Sequence, residues 1–516
     1  MRNRFVATRL LAGIIGLAAL TGAGHALAQT SVVLAIGQQP ETLDPYNTNT
    51  TLTQAVTKSF YEGLFQFDKD LNVKPVLAES YTVSDDGLVY TFKLRAGVKF
   101  HDGTEFNAEA VKVNIDRVLN PANALARYNQ FNRVERVEVV DPLTVRFVLK
   151  EPFAPFINSL AHSSAGMISP KALQEYGKDI AFHPVGTGPF KFVEWRQTDH
   201  VKGTRFDGYW RQGYPKVDNI TWKPVLENST RAAMLQTGEA DFAFPIPYEQ
   251  INSLKSNANL DILTSPSIVT RYLAMNTQQK PFDDVRVREA VNYAINREAL
   301  GKVAFNGFAF PAQGFVPQGV GYAHKMEPWP YDPAKARALL AEAGYPNGFE
   351  TVLWGGYNNS TTVKVLQFLQ QQLGQVGIKV SVLALEPGQR TEWVEGWQDP
   401  KTSRVRMYYA GWSASTGEAD WALRPLLTTE AWPPKLNNAA YYSNSNFDSY
   451  IAAALKSTSD DEKRDLYRKA QELLYVDLPW APLVTEETVY ARNKRLSGVY
   501  VMPDSNINFT EIAVTK

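Results

Sequence analysis

The 516-residue chain predicts an α/β protein of at least two lobes. Three observations carry this expectation. The length is enough for two or three domains, each with a sizeable core. In the second half, strand-like runs alternate with well-punctuated helices, as in an α/β domain. The first half is richer in short strands and turns. Val32–Ile36 is β-branched and apolar and reads as a buried strand. In Leu88–Leu94, Val89, Thr91 and Lys93 alternate with Tyr90, Phe92 and Leu94, the pattern of a half-buried strand, and Thr144–Leu149 reads likewise. Asp284 can cap a helix whose Val287, Val291, Ala294 and Ile295 share one face. Asp332-Pro333 is an N-cap followed by proline at the first helical position, where its missing N–H costs nothing. That helix should end at Gly344, a left-handed C-cap. Ser360 can cap a third helix ending near Gly377, and a fourth spans about 461–475.

The first residues read as an export signal. Arg2, Arg4 and Arg9 precede the apolar stretch Leu10–Leu20, and Ala26-Leu27-Ala28 supplies small residues at the expected cut. The apolar run is shorter than the roughly 20 residues a membrane span needs. Cleavage is expected after Ala28, leaving Gln29 first; the competing reading is a retained signal anchor. The chain has no cysteine, which excludes disulfides, thiol chemistry, thiolate metal sites and a lipid-anchored N-terminal Cys. The expected product floats free in an outer compartment, the periplasm. Taking the three Arg of the signal from 53 basic groups leaves 50 against 53 acids, a net charge of −3, with no nucleic-acid-binding stripe.

Catalytic motifs are missing. No H-E-x-x-H, G-x-S-x-G, P-loop or G-x-G-x-x-G stands in a suitable context. His101, His162, His183, His200 and His324 are dispersed, with none at metal-ligand spacing. Asp85-Asp86 precedes Gly87 between two strand-like runs, and a turn accounts for it. We therefore expect no enzyme, no metal and no cofactor; a secreted hydrolase is the alternative of a different class. Aromatic residues make up 12% of the chain, suiting both cores and ligand clefts.

The run Leu77-Ala78-Glu79-Ser80-Tyr81 through Ser84-Asp85-Asp86-Gly87 to Phe100-His101-Asp102-Gly103 resembles the signature of family 5 extracellular solute-binding proteins. Leu43-Asp44-Pro45, Pro184–Phe190, Val287–Arg297 and Ala341–Pro346 agree with that family in the same order, so the resemblance covers the mature chain. Tyr81–Gly87, Arg231–Glu239, Phe242–Gln250 and Gly411–Trp421 are similar to members that bind glutathione for an ABC importer. The resemblance implies a two-lobed periplasmic binding protein fold of type II, in the large peptide-binding subclass, with an extra domain and a hinge between the lobes. Domain I would comprise 29–57, 208–290 and 498–516, domain II 58–207 and domain III 291–497. The implied partners are glutathione, an inner-membrane permease and its ATPase subunits, with the receptor a monomer. A di- or tripeptide or haem receptor is the alternative within the family.

The resemblance also points to ligand residues. Dipeptide-binding relatives carry an Asp three positions beyond the Trp of Gly411-Trp412, and here that position is Ser415. Glutathione carries its ammonium beside a free carboxylate, so a hydroxyl at Ser415, with Ser413, Glu418 or Asp420 nearby, suits that zwitterionic end. Glu418 and Asp420 equally suit loop or capping roles. Two ligand carboxylates call for cations, and arginine forks bind carboxylates in bidentate fashion. Arg271, within Val269–Leu273, and Arg406, before Met407-Tyr408-Tyr409, are candidates, with a structural carboxylate as the competing partner. Tyr409 and Trp412 can pack on the ligand or in the core. From the other lobe the resemblance implies Thr53, Gln54, Ser163 and Ser164.

Overall fold

The computed structural model describes residues 29–397 and 399–515, so the proposed signal segment lies outside the described residues. Its frame is an eleven-stranded mixed sheet. The order across it is Ile378–Ala384, Phe349–Gly355, Met407–Ser413, Leu260–Met275, Trp480–Asn493, Phe242–Phe244, Ser31–Ile36, Asn219–Pro224, His200–Arg205 and Phe190–Arg196, with Ala309–Pro311 also paired to Trp480–Asn493. Ser31–Ile36 lies parallel between two neighbours, and Val32, Leu34, Ala35 and Ile36 are fully buried, as a two-sided apolar strand should be.

Two long antiparallel strands, Leu260–Met275 and Trp480–Asn493, join the lobes. Their outer halves pair from Leu260 with Asn493 to Pro266 with Glu487, and their other halves from Thr270 with Thr485 to Ala274 with Trp480. The register breaks between Pro266 and Thr270. Proline has no N–H to give the ladder, and Ile268 turns its N–H to the Pro503 carbonyl instead, 3.0 Å away. One lobe hangs on the first half of this ladder and the other on the second. The register break at 266–270 lies within the segment 208–290 expected for domain I, ahead of its limit at 290/291. Strands Phe190–Arg196 and His200–Arg205, assigned to domain II, hydrogen-bond into the same sheet as Ser31–Ile36.

A separate four-stranded antiparallel sheet, ordered Ala78–Val83, Val89–Leu94, Thr144–Leu149, Val134–Asp141, forms the body of the extra domain. Tyr90, Phe92 and Leu94 face inward as the alternation predicts, and Phe92 meets Phe147 edge-on at 5.3 Å. Helix punctuation follows the sequence closely. Asp284 accepts from the Arg286 N–H and Asp332 from Ala334 and Lys335, while Gly344 takes φ +92°. The third helix, Ser360–Gly374, is capped by Asn359 rather than Ser360: its side chain accepts from the Thr362 N–H, leaving Ser360 inside the first turn. The fourth runs Asp460–Asp477 behind a Ser459 cap.

The Pro184–Phe190 motif is explained by close packing. A Cβ on Gly186 would stand 2.2 Å from the Phe60 carbonyl oxygen, and one on Gly188 2.6 Å from the Phe60 carbonyl carbon. Thr187 between them donates to Glu62, which also accepts from Tyr209 and Trp210. Because the obstruction is backbone, Gly186→Ala should lower the unfolding free energy by at least about 1–3 kcal/mol. Denaturant titration checks this, with an unchanged midpoint counting against it.

Candidate functional site

The strand Met407–Ser413 pairs antiparallel with Val269–Met275 and carries Trp412 and Ser413 to the mouth between the lobes. A loop through Ser415 follows, then the helix Ala419–Leu427. Facing it are the short helix Thr51–Thr57, the segment 126–130, His162 and Asp504. Two cavities of about 430 Å³ and 320 Å³ lie here, and both are lined by Asn49, Gly411, Trp412 and Asn437, so they form one continuous cleft. That volume suits a small-molecule ligand.

Strand alternation decides which side chains reach the cleft. Tyr408 and Ala410 line its inner part with Tyr272 and Tyr357. Tyr409 points the other way and is buried in the core of its lobe, so the ligand role expected for it is corrected to packing. Trp412 donates its Nε1–H to the Trp421 carbonyl at 2.6 Å, which fixes the indole as a wall of the cleft. Ser413 and Ser415 line the larger cavity, and the buried Ser413 hydroxyl has no hydrogen-bond partner among the described residues.

Both arginines expected from the sequence are engaged elsewhere. Arg271 is paired with Glu486 across the two long strands, and its guanidinium fills the space a side chain at Gly411 would need, 2.2 Å from that Cβ position. A half-buried charge in a strand needs compensation, and here a protein carboxylate provides it. Arg406 lies before the opposite end of its strand and donates to the Ser403 and Val405 carbonyls. Asp420 is also satisfied internally: both its oxygens accept from Arg424, at 2.8 and 2.9 Å, one helical turn on. Glu418 precedes the same helix without capping it and lies outside the cleft lining.

On the facing lobe, Gln54 lines the cleft and accepts from the Ser163 hydroxyl at 3.3 Å. Ser163 in turn accepts from Asn506 at 2.7 Å and lines a small cavity of about 40 Å³ behind, with Lys58, His162 and Asp504. Ser164 is fully buried; its hydroxyl donates to Gln130 at 3.0 Å and contacts His162 at 2.8 Å, so it holds two cleft residues instead of meeting a ligand. Thr53 is buried and donates to Glu41 at 2.6 Å.

The charges that do line the cleft are others. Half-buried Arg127 donates Nε–H to the Thr48 carbonyl at 2.7 Å, and its terminal N–H groups have no protein partner among the described residues. Burial lowers this guanidinium to about 10, against the pull of Glu41, so it stays charged at neutral pH. Arg390 lines the inner cavity beside Glu395, 2.9 Å away. Asp504 is buried at the cleft floor and accepts from the Asn506 N–H at 2.9 Å. Burial raises its carboxyl, with the Asn506 amide and then Lys58 opposing. Burial in turn lowers the Lys58 amine. None of these residues sits in an apolar periodic run, and nothing local separates Arg127 or Asp504 from a surface charge. Among the described residues, no group of three or more His, Asp or Glu is placed to hold a metal, and no helix is long and apolar enough to cross a membrane.

Residues 72–434 match the model of the bacterial extracellular solute-binding proteins, family 5. The chain is 58% identical over 509 residues to the glutathione-binding protein GsiB of Salmonella typhimurium, covering 99% of each. Its fold matches HbpA2 from Haemophilus parasuis with a TM-score of 0.82, 26% identity, and coverage of 94% of this chain and 100% of that one. It also matches the periplasmic binding protein DppA from Helicobacter pylori, solved with the peptide STSA, with a TM-score of 0.79, 29% identity, and coverage of 95% and 99%. The chain belongs to the family 5 solute-binding proteins. It is a two-lobed binding protein of the ABC-importer class, not an enzyme.

The Arg271–Glu486 pair makes a prediction that separates structure from binding. Arg271→Ala strands a half-buried carboxylate and should cost about 1–3 kcal/mol of unfolding free energy. Adding Glu486→Ala should restore part of that loss in the same denaturant titration; strictly additive losses would argue against the pairing.

Proposed function

We propose that this family 5 protein captures glutathione in the periplasm and presents it, as a monomer, to an inner-membrane permease driven by its ATPase subunits. The observation that carries the reading is the charge set of the cleft. Arg127 provides a cation with free terminal N–H groups for one carboxylate, Arg390, which shares its charge with Glu395 in the same lining, a second, and Asp504 a carboxylate for one ammonium. Glutathione carries those three charges. Ser415 stands where dipeptide-binding relatives place an Asp, which removes one contact for an ordinary peptide N-terminus. The orphan hydroxyl of Ser413 provides a further hydrogen bond. The 58% identity to proteins named for glutathione binding supports the same ligand. Trp412, Tyr357 and Tyr408 would pack along the ligand stem. Export would follow cleavage after Ala28.

Affinity in this scheme comes from charge-assisted hydrogen bonds made on both lobes, so the ligand favours the closed form. Calorimetry of the ligand-free mature protein with reduced glutathione, oxidised glutathione and Ala-Ala tests the assignment. Glutathione should bind and Ala-Ala should bind far more weakly; tight binding of Ala-Ala alone overturns the ligand. Arg127→Ala and Asp504→Asn should each weaken glutathione at least about tenfold, the scale of one charged hydrogen bond. Unchanged affinity in both would remove them from the site.

A further inference from the structure

The lobes also touch along a seam beside the cleft. Asn158 of one lobe donates to the Thr416 carbonyl of the other at 2.7 Å, and the Ala154 N–H donates to the Leu455 carbonyl at 2.8 Å. Gly417 lies against Phe67 and Leu71 of the facing lobe; a Cβ there would stand 3.4 Å from the Phe67 ring. The next residue, Glu418, is tied to the segment 321–322: the Gly321 N–H donates to the Gly417 carbonyl and the Ala419 N–H to the Gly321 carbonyl. The Oε2 of Glu418 is shut off from solvent, with no hydrogen-bond partner among the described residues.

The charges around it are spoken for. Asp420 is held by Arg424. Asp460 accepts from the Tyr322 hydroxyl at 2.6 Å and pairs with Arg464 at 2.9 Å. Lys463 sits over the Tyr322 ring, 5.0 Å from its centroid. Tyr467 approaches from the same helix as Lys463, and Tyr90 from the facing lobe. Two of the neighbouring carboxylates repel a charge on Glu418, and only Lys463 attracts it. A carboxylate oxygen sealed from water without a partner is costly when the group ionises. Glu418 sits in the seam, directly after the Gly417 that meets Phe67 and Leu71 and with Tyr90 of the facing lobe close by.

We propose that Glu418 is a proton-coupled latch: the closed protein holds it as the neutral acid, opening lets it ionise, and ligand capture is therefore accompanied by proton uptake. Burial raises this carboxyl to about 7, whereas an exposed glutamate titrates near its ordinary value of about 4.3. The closed form is thus the stronger proton binder. The stabilisation of closure is full below the ordinary glutamate value and is lost as pH rises through about 7. The latch belongs to the protein, so its pH slope should accompany any ligand that closes the lobes. It rests on the binding-protein reading but not on glutathione itself.

The chain has no cysteine, so Lys99→Cys and Lys379→Cys, both at exposed positions on opposite lobes, can be labelled cleanly for energy transfer. Closure is followed while glutathione, and separately Ala-Ala, is titrated at pH 5.5 and 7.5. The protein with native Glu418 should need at least about tenfold more ligand at pH 7.5, and Glu418→Gln should flatten that dependence. Calorimetry of the unsubstituted protein near pH 6, in two buffers of different ionisation heat, should show close to one proton taken up per ligand bound. A slope kept in the Gln variant, or no proton uptake, overturns the latch. Closure by Ala-Ala alone, with the slope present, overturns the glutathione assignment and leaves the latch standing. Closure by neither ligand removes both.

Discussion

Everything in this molecule hangs on one pair of strands. Leu260–Met275 and Trp480–Asn493 are hydrogen-bonded along both lobes, and the ladder is interrupted only where Pro266 cannot donate and at a second shift between Arg271 and Tyr272. The first break divides a continuous sheet into two bodies that share a backbone connection. Just beyond it sits the half-buried Arg271–Glu486 pair. It locks the strands side by side where bending would otherwise separate them, and it sets the floor against which Gly411 and Trp412 are laid. Gly411 is glycine because the guanidinium occupies its side-chain space. The cleft is therefore built outward from the hinge.

That arrangement sorts polar groups into two kinds. Some are satisfied within the protein: Arg271 by Glu486 at the hinge, Asp420 by Arg424 beside the seam, and Thr53 by Glu41 on the helix that faces the cleft. Others at the cleft and its seam are left incomplete: the terminal N–H groups of Arg127, the hydroxyl of Ser413 and one oxygen of Glu418. Buried polar groups are normally paired, so those left open at the cleft are free to meet a ligand. Ligand and proton complete what the fold leaves open.

Much of the fold was legible in the sequence because capping and alternation are local. Asp284, Asp332 and Gly344 act where their chemistry said they should. Asn359 displaced Ser360 as cap because both flank the same helix start and only the residue outside it has the extended backbone of a cap. The family motifs proved to be packing motifs: Gly186 and Gly188 clear the Phe60 backbone, while Arg288 and Arg297 in the Val287–Arg297 motif donate to buried carbonyls. Such motifs identify a scaffold and say little about its ligand.

By itself the sequence pointed to the class of the protein, an α/β two-lobed receptor without a recognised catalytic motif, and to the serine at 415. Only the tertiary structure decided which charges face the ligand cleft. Arg271, Arg406 and Asp420 drew attention in the sequence while Arg127 and Asp504 did not, because a charge in a linear sequence carries no record of its partner. Pairing is made across contacts such as Arg271 with Glu486, 215 residues apart in the chain, and a group left unpaired is known only once every neighbour has been placed.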